Sequence, residues 1–258
     1  MESKIAEHIS SLRDQSRDMW KNTYSKYHVA ILSGILPKDI EENFLSEARE
    51  LLADNSKRRE MIIKESGDTP RAYDSVGRND IRDRGEYIPA VFDSEALREL
   101  ISDVAGEELH RVPYAPEEFI INSQSQAKDT HGWHWDDYAF ALIWCIDEPD
   151  PLLGGRVEYI PRIKWDKENT KEHLTSVLKS KPVTSIHLQE GECYLMKANT
   201  CLHRIAPLTK ETKRTVVVMT YASTEDLTDN TITHGSMEEI YPSDTEAKPV
   251  SRNRYSRG

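Results

Sequence analysis

The chain has 258 residues, 37% of them hydrophobic, and a formal net charge of −11. That length can bury one sizeable core, and the negative field repels phosphate backbones and anionic lipid, which sets aside nucleic acid and membrane surfaces as partners. The first twenty residues carry charges throughout and no run reaches the roughly 18 apolar residues of a membrane span, so a cytoplasmic protein is expected. In chain order, Ile5, Ile9, Leu12 and Trp20 recur with an imperfect helical period and predict one helix over residues 3–27. HVAILSGILP reads as a short buried strand. Pro37 opens a second helix, whose stripe runs through Ile40, Phe44, Leu45, Ala48, Leu51 and Leu52 before Asn55 to Arg59 end it. A third helix is expected from Asp93, as its cap, to Leu109, burying Leu97, Leu100, Ile101 and Val104.

From Glu117 onward the apolar runs shorten to strand length: EEFIINSQSQ, YAFALIWCI, GRVEYIP, VTSIHL, ECYLMKA and TVVVMTYAS, separated by DEPDPLLGG, QEG and PLTKETK. Such runs without helical patterns between them predict an antiparallel sandwich or jelly roll over about 111–224, with helices over about 1–110 as a buttress. The fold class is mainly β with N-terminal helices (α+β), in a single domain of residues 1–240. Asp166 to Ser180 is a polar excursion of helical character, and 241–258 lacks the apolar surface to order itself and reads as a flexible tail. Cys145, Cys193 and Cys201 have no CxxC spacing and sit in or beside apolar runs, as reduced buried thiols do.

Chemistry concentrates in THGWHWDDYAFAL. His134 and Asp136 are one residue apart, so on a strand they project from the same face and can bind one ion. NTCLHRIAP offers His203 as a third ligand. Two imidazoles and a carboxylate form a facial triad that leaves three positions of an octahedral iron(II) open, as dioxygen and a bidentate co-substrate require. Arg214 heads TVVVMTYAS, where its guanidinium can grip a carboxylate bidentately. Alone, each piece is weak, since His-x-Asp occurs by chance and an arginine at a strand edge is usually solvated. Their joint order carries the weight.

His-x-Asp, a long gap, then His and Arg near the C-terminal strands resembles the iron(II)/2-oxoglutarate-dependent dioxygenases, whose fold is a double-stranded β-helix, a cupin-like jelly roll. More narrowly, DTHGWHWDDYAFAL, with PRAYDSVG and PYAPEEF upstream and GECYLMKANTCLHRIAPL downstream, is similar to the halogenases of free lysine and their hydroxylase relatives, over roughly residues 65–240. The resemblance implies His134, Asp136 and His203 as ligands of Fe(II), Arg214 on the distal carboxylate of 2-oxoglutarate, and O2 as the other co-substrate. It places substrate contacts at Arg71, Glu117, His131, Asp137 and Thr220, with the arginine suited to an α-carboxylate, and implies a role in natural-product biosynthesis. In those halogenases a glycine replaces the metal carboxylate and chloride takes the vacancy. Asp136 therefore points to the hydroxylase branch, acting on an unactivated C–H bond of a small free amino acid. Two departures bear on the substrate: an asparagine expected two residues before Thr220 is Val218, and tryptophans expected near the C-terminus are absent around HGSMEEIY. Val218 in place of a polar residue makes a smaller, more apolar substrate such as valine or leucine a serious competitor to lysine. Desaturation, or C–N ring closure to an aziridine, would share the first step.

Plainer roles stand beside these. Trp133 and Trp135 fit the core or a pocket wall, Glu117 and Asp137 can be solvated or orient a histidine, and Tyr73, Tyr138 and Tyr159 fit structural positions. His8, His28, His110, His173 and His187 are expected at the surface, whereas HGSMEE, with His234, can close over the site. Two other functions compete: a metal-free jelly-roll binding module, and a zinc hydrolase on the same three ligands. Oxygen consumption dependent on iron and 2-oxoglutarate separates them. The oligomeric state is open, a homodimer included.

Overall fold

A computed structural model describes residues 1–242. The first half holds α1 (Glu2–Ser10), α2 (Asp14–Tyr27), β1 (Val29–Leu32), α3 (Lys38–Asn55), β2 (Lys57–Ile63), β3 (Thr69–Val76), α4 (Arg78–Arg84), α5 (Tyr87–Asp93), α6 (Glu95–Ala105) and β4 (His110–Arg111). A 3₁₀ turn (Ala115–Glu117) leads into β5 (Phe119–Gln124), β6 (Thr130–His134), β7 (Phe140–Asp147) and β8 (Val157–Ile160). Then come α7 (Thr170–Ser180), β9 (Thr184–Ile186), β10 (Cys193–Lys197), β11 (Leu202–Ile205), β12 (Arg214–Ala222) and α8 (Gly235–Ile240).

Several expectations are corrected. The helix expected over 3–27 is broken into α1 and α2, and both pack on α6. A straight rod over that span would run about 38 Å and overrun α6, which is about 16 Å long. The cap of α6 is Ser94, whose Oγ accepts from Leu97 N at 3.2 Å, while Asp93 ends α5 and pairs with Arg82 and Arg111, both at 2.8 Å. The short strand expected in HVAILSGILP is β1, but the supposed helical buttress also contributes β2 and β3 to the sheet. Of the expected tail 241–258, Tyr241 is instead buried and donates to Asn122 Oδ1 at 3.0 Å, and residues from 243 on lie outside the described residues.

Neighbouring strands are antiparallel, in the order β1-β10-β7-β12-β5-β3-β6-β11-β8-β9, with β2 on β3 and β4 on β12. The period-two alternation of each strand decides what the two sheet faces hold. Along β12, Val217, Met219 and Tyr221 join the core under the helices, while Arg214, Val216, Val218 and Thr220 line an internal cavity. Along β5, Phe119 and Ile121 face the core and Ile120, Asn122 and Gln124 the cavity. Leu142, Trp144 and Ile146 of β7 do the same against Ala141 and Ile143. Phe44 of α3 meets Trp144 at 5.2 Å, and each such buried side chain contributes about 1.5–3 kcal/mol. The result is a jelly roll with helices outside and a cavity inside. The three cysteines are free and buried.

Gly132 sets how closely β6 approaches β3. A Cβ there would lie 2.8 Å from Pro70 Cδ and 2.9 Å from both Pro70 O and Thr69 Cβ. Backbone and a proline ring cannot rotate away, so Gly132→Ala is expected to cost about 1–3 kcal/mol, read as a lower midpoint in urea unfolding. An unchanged midpoint would show that β6 can slide outward freely.

Candidate active site

Strands β6 and β11 pair His134 directly opposite His203, and Asp136 follows two residues after His134. Asp136 Oδ1 lies 3.4 Å from His134 Nε2 and 3.6 Å from His203 Nε2. One ligand atom from each residue falls within 4.8 Å of the others, a set that can hold one metal ion. The tautomers are fixed locally: His134 Nδ1 lies 2.8 Å from Gly132 O, and His203 Nδ1 lies 2.8 Å from Cys201 O. A carbonyl only accepts, so each Nδ1 carries the proton and each Nε2 is left as a donor to metal. Burial, with His203 opposite, pushes His134 down to about 4, so the ring is neutral at physiological pH. Burial alone would raise Asp136, but the facing imidazoles of His203 and His134, with Arg71, hold it below the usual carboxylate range.

The cavity beside this set measures about 130 Å³. Arg214 and Thr220, six residues apart on β12, put its ends roughly 20 Å from one another at ~3.3 Å per residue. At one end Arg214 is 4% exposed and donates to Gln124 Oε1 at 3.0 Å, while Gln124 Nε2 is buried without a partner. A guanidinium and an unfilled amide donor together fit a carboxylate. Burial lowers the Arg214 guanidinium and raises the hydroxyl of Tyr194 beside it.

The opposite end is acidic. Glu117, pushed by burial up to about 7, receives His234 Nδ1 at 2.7 Å. Asp137, also raised by burial, accepts from Lys167 at 2.8 Å. The same cavity is lined by Arg71, paired across the sheet with His131 and 2% exposed. It donates to Thr69 Oγ1 at 3.0 Å and Pro70 O at 3.1 Å, its Nε has no partner, and no ion pair reaches it among the described residues. Burial lowers its guanidinium, while Tyr73, Asp136 and Glu239 nearby act in the opposite direction.

All nine residues singled out from the sequence line this one cavity. His131 stacks between His134 at 4.2 Å and Tyr73 at 5.2 Å, and burial, then Arg71, hold it well below its ordinary range, so it is a neutral wall of the metal centre. Tyr73, expected to be structural, also lines the cavity, as do Tyr194, Gln124, Asn122 and Tyr241, none of which had been singled out. The alternation in EEFIINSQSQ could have found Asn122 and Gln124 once the inward face was known. Trp135 is a wall residue, its Nε1 donating to Ile163 O at 2.8 Å.

This fold and donor set define the iron(II)- and 2-oxoglutarate-dependent oxygenases. Within them, the chain belongs to the Halogenase D family, whose sequence model matches residues 12–242. It is an oxidoreductase by that membership, and His134, Asp136 and His203 are its candidate metal set. Among solved structures it is similar to the epimerase SnoN from nogalamycin biosynthesis, at 15% identity and TM-score 0.59, with 95% of this chain and 94% of that one covered. SnoN has also been crystallised with Fe3+, α-ketoglutarate and nogalamycin RO. AviO1 from Streptomyces viridochromogenes Tue57 matches at 17% identity and TM-score 0.59, over 84% of this chain and 96% of that one. A prolyl hydroxylase from Trichoplax adhaerens, in complex with a hypoxia inducible factor peptide fragment, matches at 10% and 0.58, over 85% and 99%. No curated protein matches the chain. Among the described residues no helix is long and apolar enough to cross a membrane.

Proposed function

We propose that this oxygenase hydroxylates an unactivated C–H bond of a small free amino acid. The observation that carries the reading is a buried guanidinium without a carboxylate partner, Arg71, sharing a cavity with the buried carboxylates Glu117 and Asp137. A zwitterion complements both signs at once. On this reading His134, Asp136 and His203 hold Fe(II), and Arg214 with Gln124 takes the distal carboxylate of 2-oxoglutarate. When bound, the metal with its co-substrates supplies the oxidant that removes hydrogen from carbon. The chain supplies aim: Arg71 fixes the α-carboxylate, with His131 paired to it across the sheet, and Glu117, Asp137 and Thr220 receive the ammonium, so one C–H bond is presented repeatedly in one place. Val216, Val218, Ile120 and Ile143 offer the side chain no polar partner, which favours valine or leucine over lysine. Asp136 keeps a carboxylate where chloride would enter, which favours hydroxylation over halogenation.

The direct test is succinate release across a panel of free amino acids, with iron and 2-oxoglutarate supplied. Stimulation by none of them would sink the reading. Arg71→Ala is expected to raise the KM for the amino acid roughly a hundredfold, the loss of one bidentate charge-assisted contact, and to leave that for 2-oxoglutarate within about twofold. Equal damage to both would mean that Arg71 has been misassigned.

A further inference from the structure

His234 does not line the cavity, yet it is tied to a residue that does. Its Nδ1 lies 2.7 Å from Glu117 Oε1, its ring stacks on Tyr114 at 4.0 Å, and Tyr138 lies 5.6 Å away. The backbone at His234 is left-handed, with φ 56°, and α8 begins at the next residue. Ser236, Met237 and Ile240 of that helix, and then Tyr241, form part of the cavity wall. Glu65 accepts from Thr233 at 2.6 Å and from Ser236 at 3.0 Å, which anchors the same segment.

We propose that His234 is the positioning residue of the amine end: it holds Glu117 as a carboxylate toward the substrate's ammonium and, by the same bond, seats α8 over the cavity. The proposal rests on the amino-acid reading above. Neighbouring cations do not do this work. Arg78, Arg82 and Arg111 all donate to Glu118, at 2.9, 3.0 and 2.7 Å, and leave Glu117 to His234. The other charged groups facing Glu117 are Asp137, itself bound by Lys167, and Asp136, with the Tyr138 hydroxyl near the same cluster; Asp137 and Glu238 also face His234. Those carboxylates oppose ionisation of Glu117. Burial does so more strongly, pushing it up to about 7, and His234 is the group that pulls the other way. Burial works against the His234 cation too, and more than any one other influence, but the bond to Glu117 and the charges of Glu117, Asp137 and Glu238 together raise the ring above its ordinary range. Without His234 a neutral carboxyl would present an O–H where an ammonium needs an acceptor.

Carboxyl-¹³C NMR of glutamate-labelled protein tests the first half with no substrate present. The resonance lost in Glu117→Gln identifies Glu117, and its titration midpoint is expected to move to higher pH in His234→Gln. An unmoved midpoint overturns the proposal. Calorimetric binding of L-valine, L-leucine and L-lysine to protein loaded with Fe(II) and 2-oxoglutarate, without dioxygen, tests the second half. His234→Gln is expected to lose roughly tenfold more affinity at about pH 6 than at about pH 8.5, where the carboxylate re-forms without help. An equal loss at both values would mark His234 as structural only and overturn the proposal. If the glutamine variant does not fold, His234→Asn, which tolerates the left-handed backbone, replaces it. Failure of all three amino acids to bind the unaltered protein would sink the amino-acid reading, and the NMR midpoint would still judge His234.

Discussion

Asp136→Gly is expected to lower hydroxylation roughly a thousandfold or more, a loss of about 4 kcal/mol in the barrier, without converting the enzyme into a halogenase. The substitution removes the only carboxylate of the three-residue set, while His134 and His203 stay oriented by Gly132 O and Cys201 O. Weak iron binding sensitive to chloride should therefore survive on two imidazoles. The space left behind was shaped around a carboxylate, and nothing in its surroundings was selected to seat an anion at the right distance from carbon, so chlorinated product should be slight or absent. His134→Ala is the control and should abolish iron binding and every product. Mass spectrometry of products with and without chloride distinguishes these outcomes. Hydroxylation by Asp136→Gly at the unaltered rate would remove Asp136 from the metal.

The second large effect belongs to Arg214. Arg214→Ala should raise the 2-oxoglutarate requirement at least about a hundredfold while iron binding stays nearly intact, because Arg214 is not one of the three metal-facing residues and stands on a different strand, β12. The deficit should exceed that of a surface arginine, since Gln124 would be left with a second unpartnered group in a buried setting. Titration of 2-oxoglutarate into iron-loaded protein, followed by the visible absorption of the complex, measures it. Unchanged co-substrate affinity would take Arg214 out of this role.

The metal-facing set was legible because strand geometry has a simple period. On a strand His134 and Asp136 share a face, and although β6 ends at His134 the carboxylate of Asp136 still meets both imidazoles; Arg214 heads the most strand-like run in the sequence. What escaped notice followed from partners distant in sequence. β3, TPRAYDSV, carries a proline, an arginine and an aspartate and does not look like an interior strand, yet pairing with β5 and β6 makes it one. That pairing brings Arg71 and Tyr73 to the cavity, a placement the resemblance implied for Arg71 alone. The link from His234 to Glu117 spans 117 positions and leaves no local trace. The break between α1 and α2 was hidden because a periodicity says which face is buried, not how long the partner surface is.

The strand order has one more consequence, for how the chain reaches this state. β12, the last strand among the described residues, lies between β7 and β5, and its Thr215 hydroxyl meets Ser123 at 2.9 Å across 92 positions of sequence. During synthesis β5 and β7 emerge long before the strand that joins them. Until Ala222 has left the ribosome both present unpaired edges, and the loop-closure entropy for the central pairing has to be met all at once. Folding should therefore be cooperative and slow for the chain's size, governed by distant contacts, with the nascent chain dependent on shielding from other open edges in the interval.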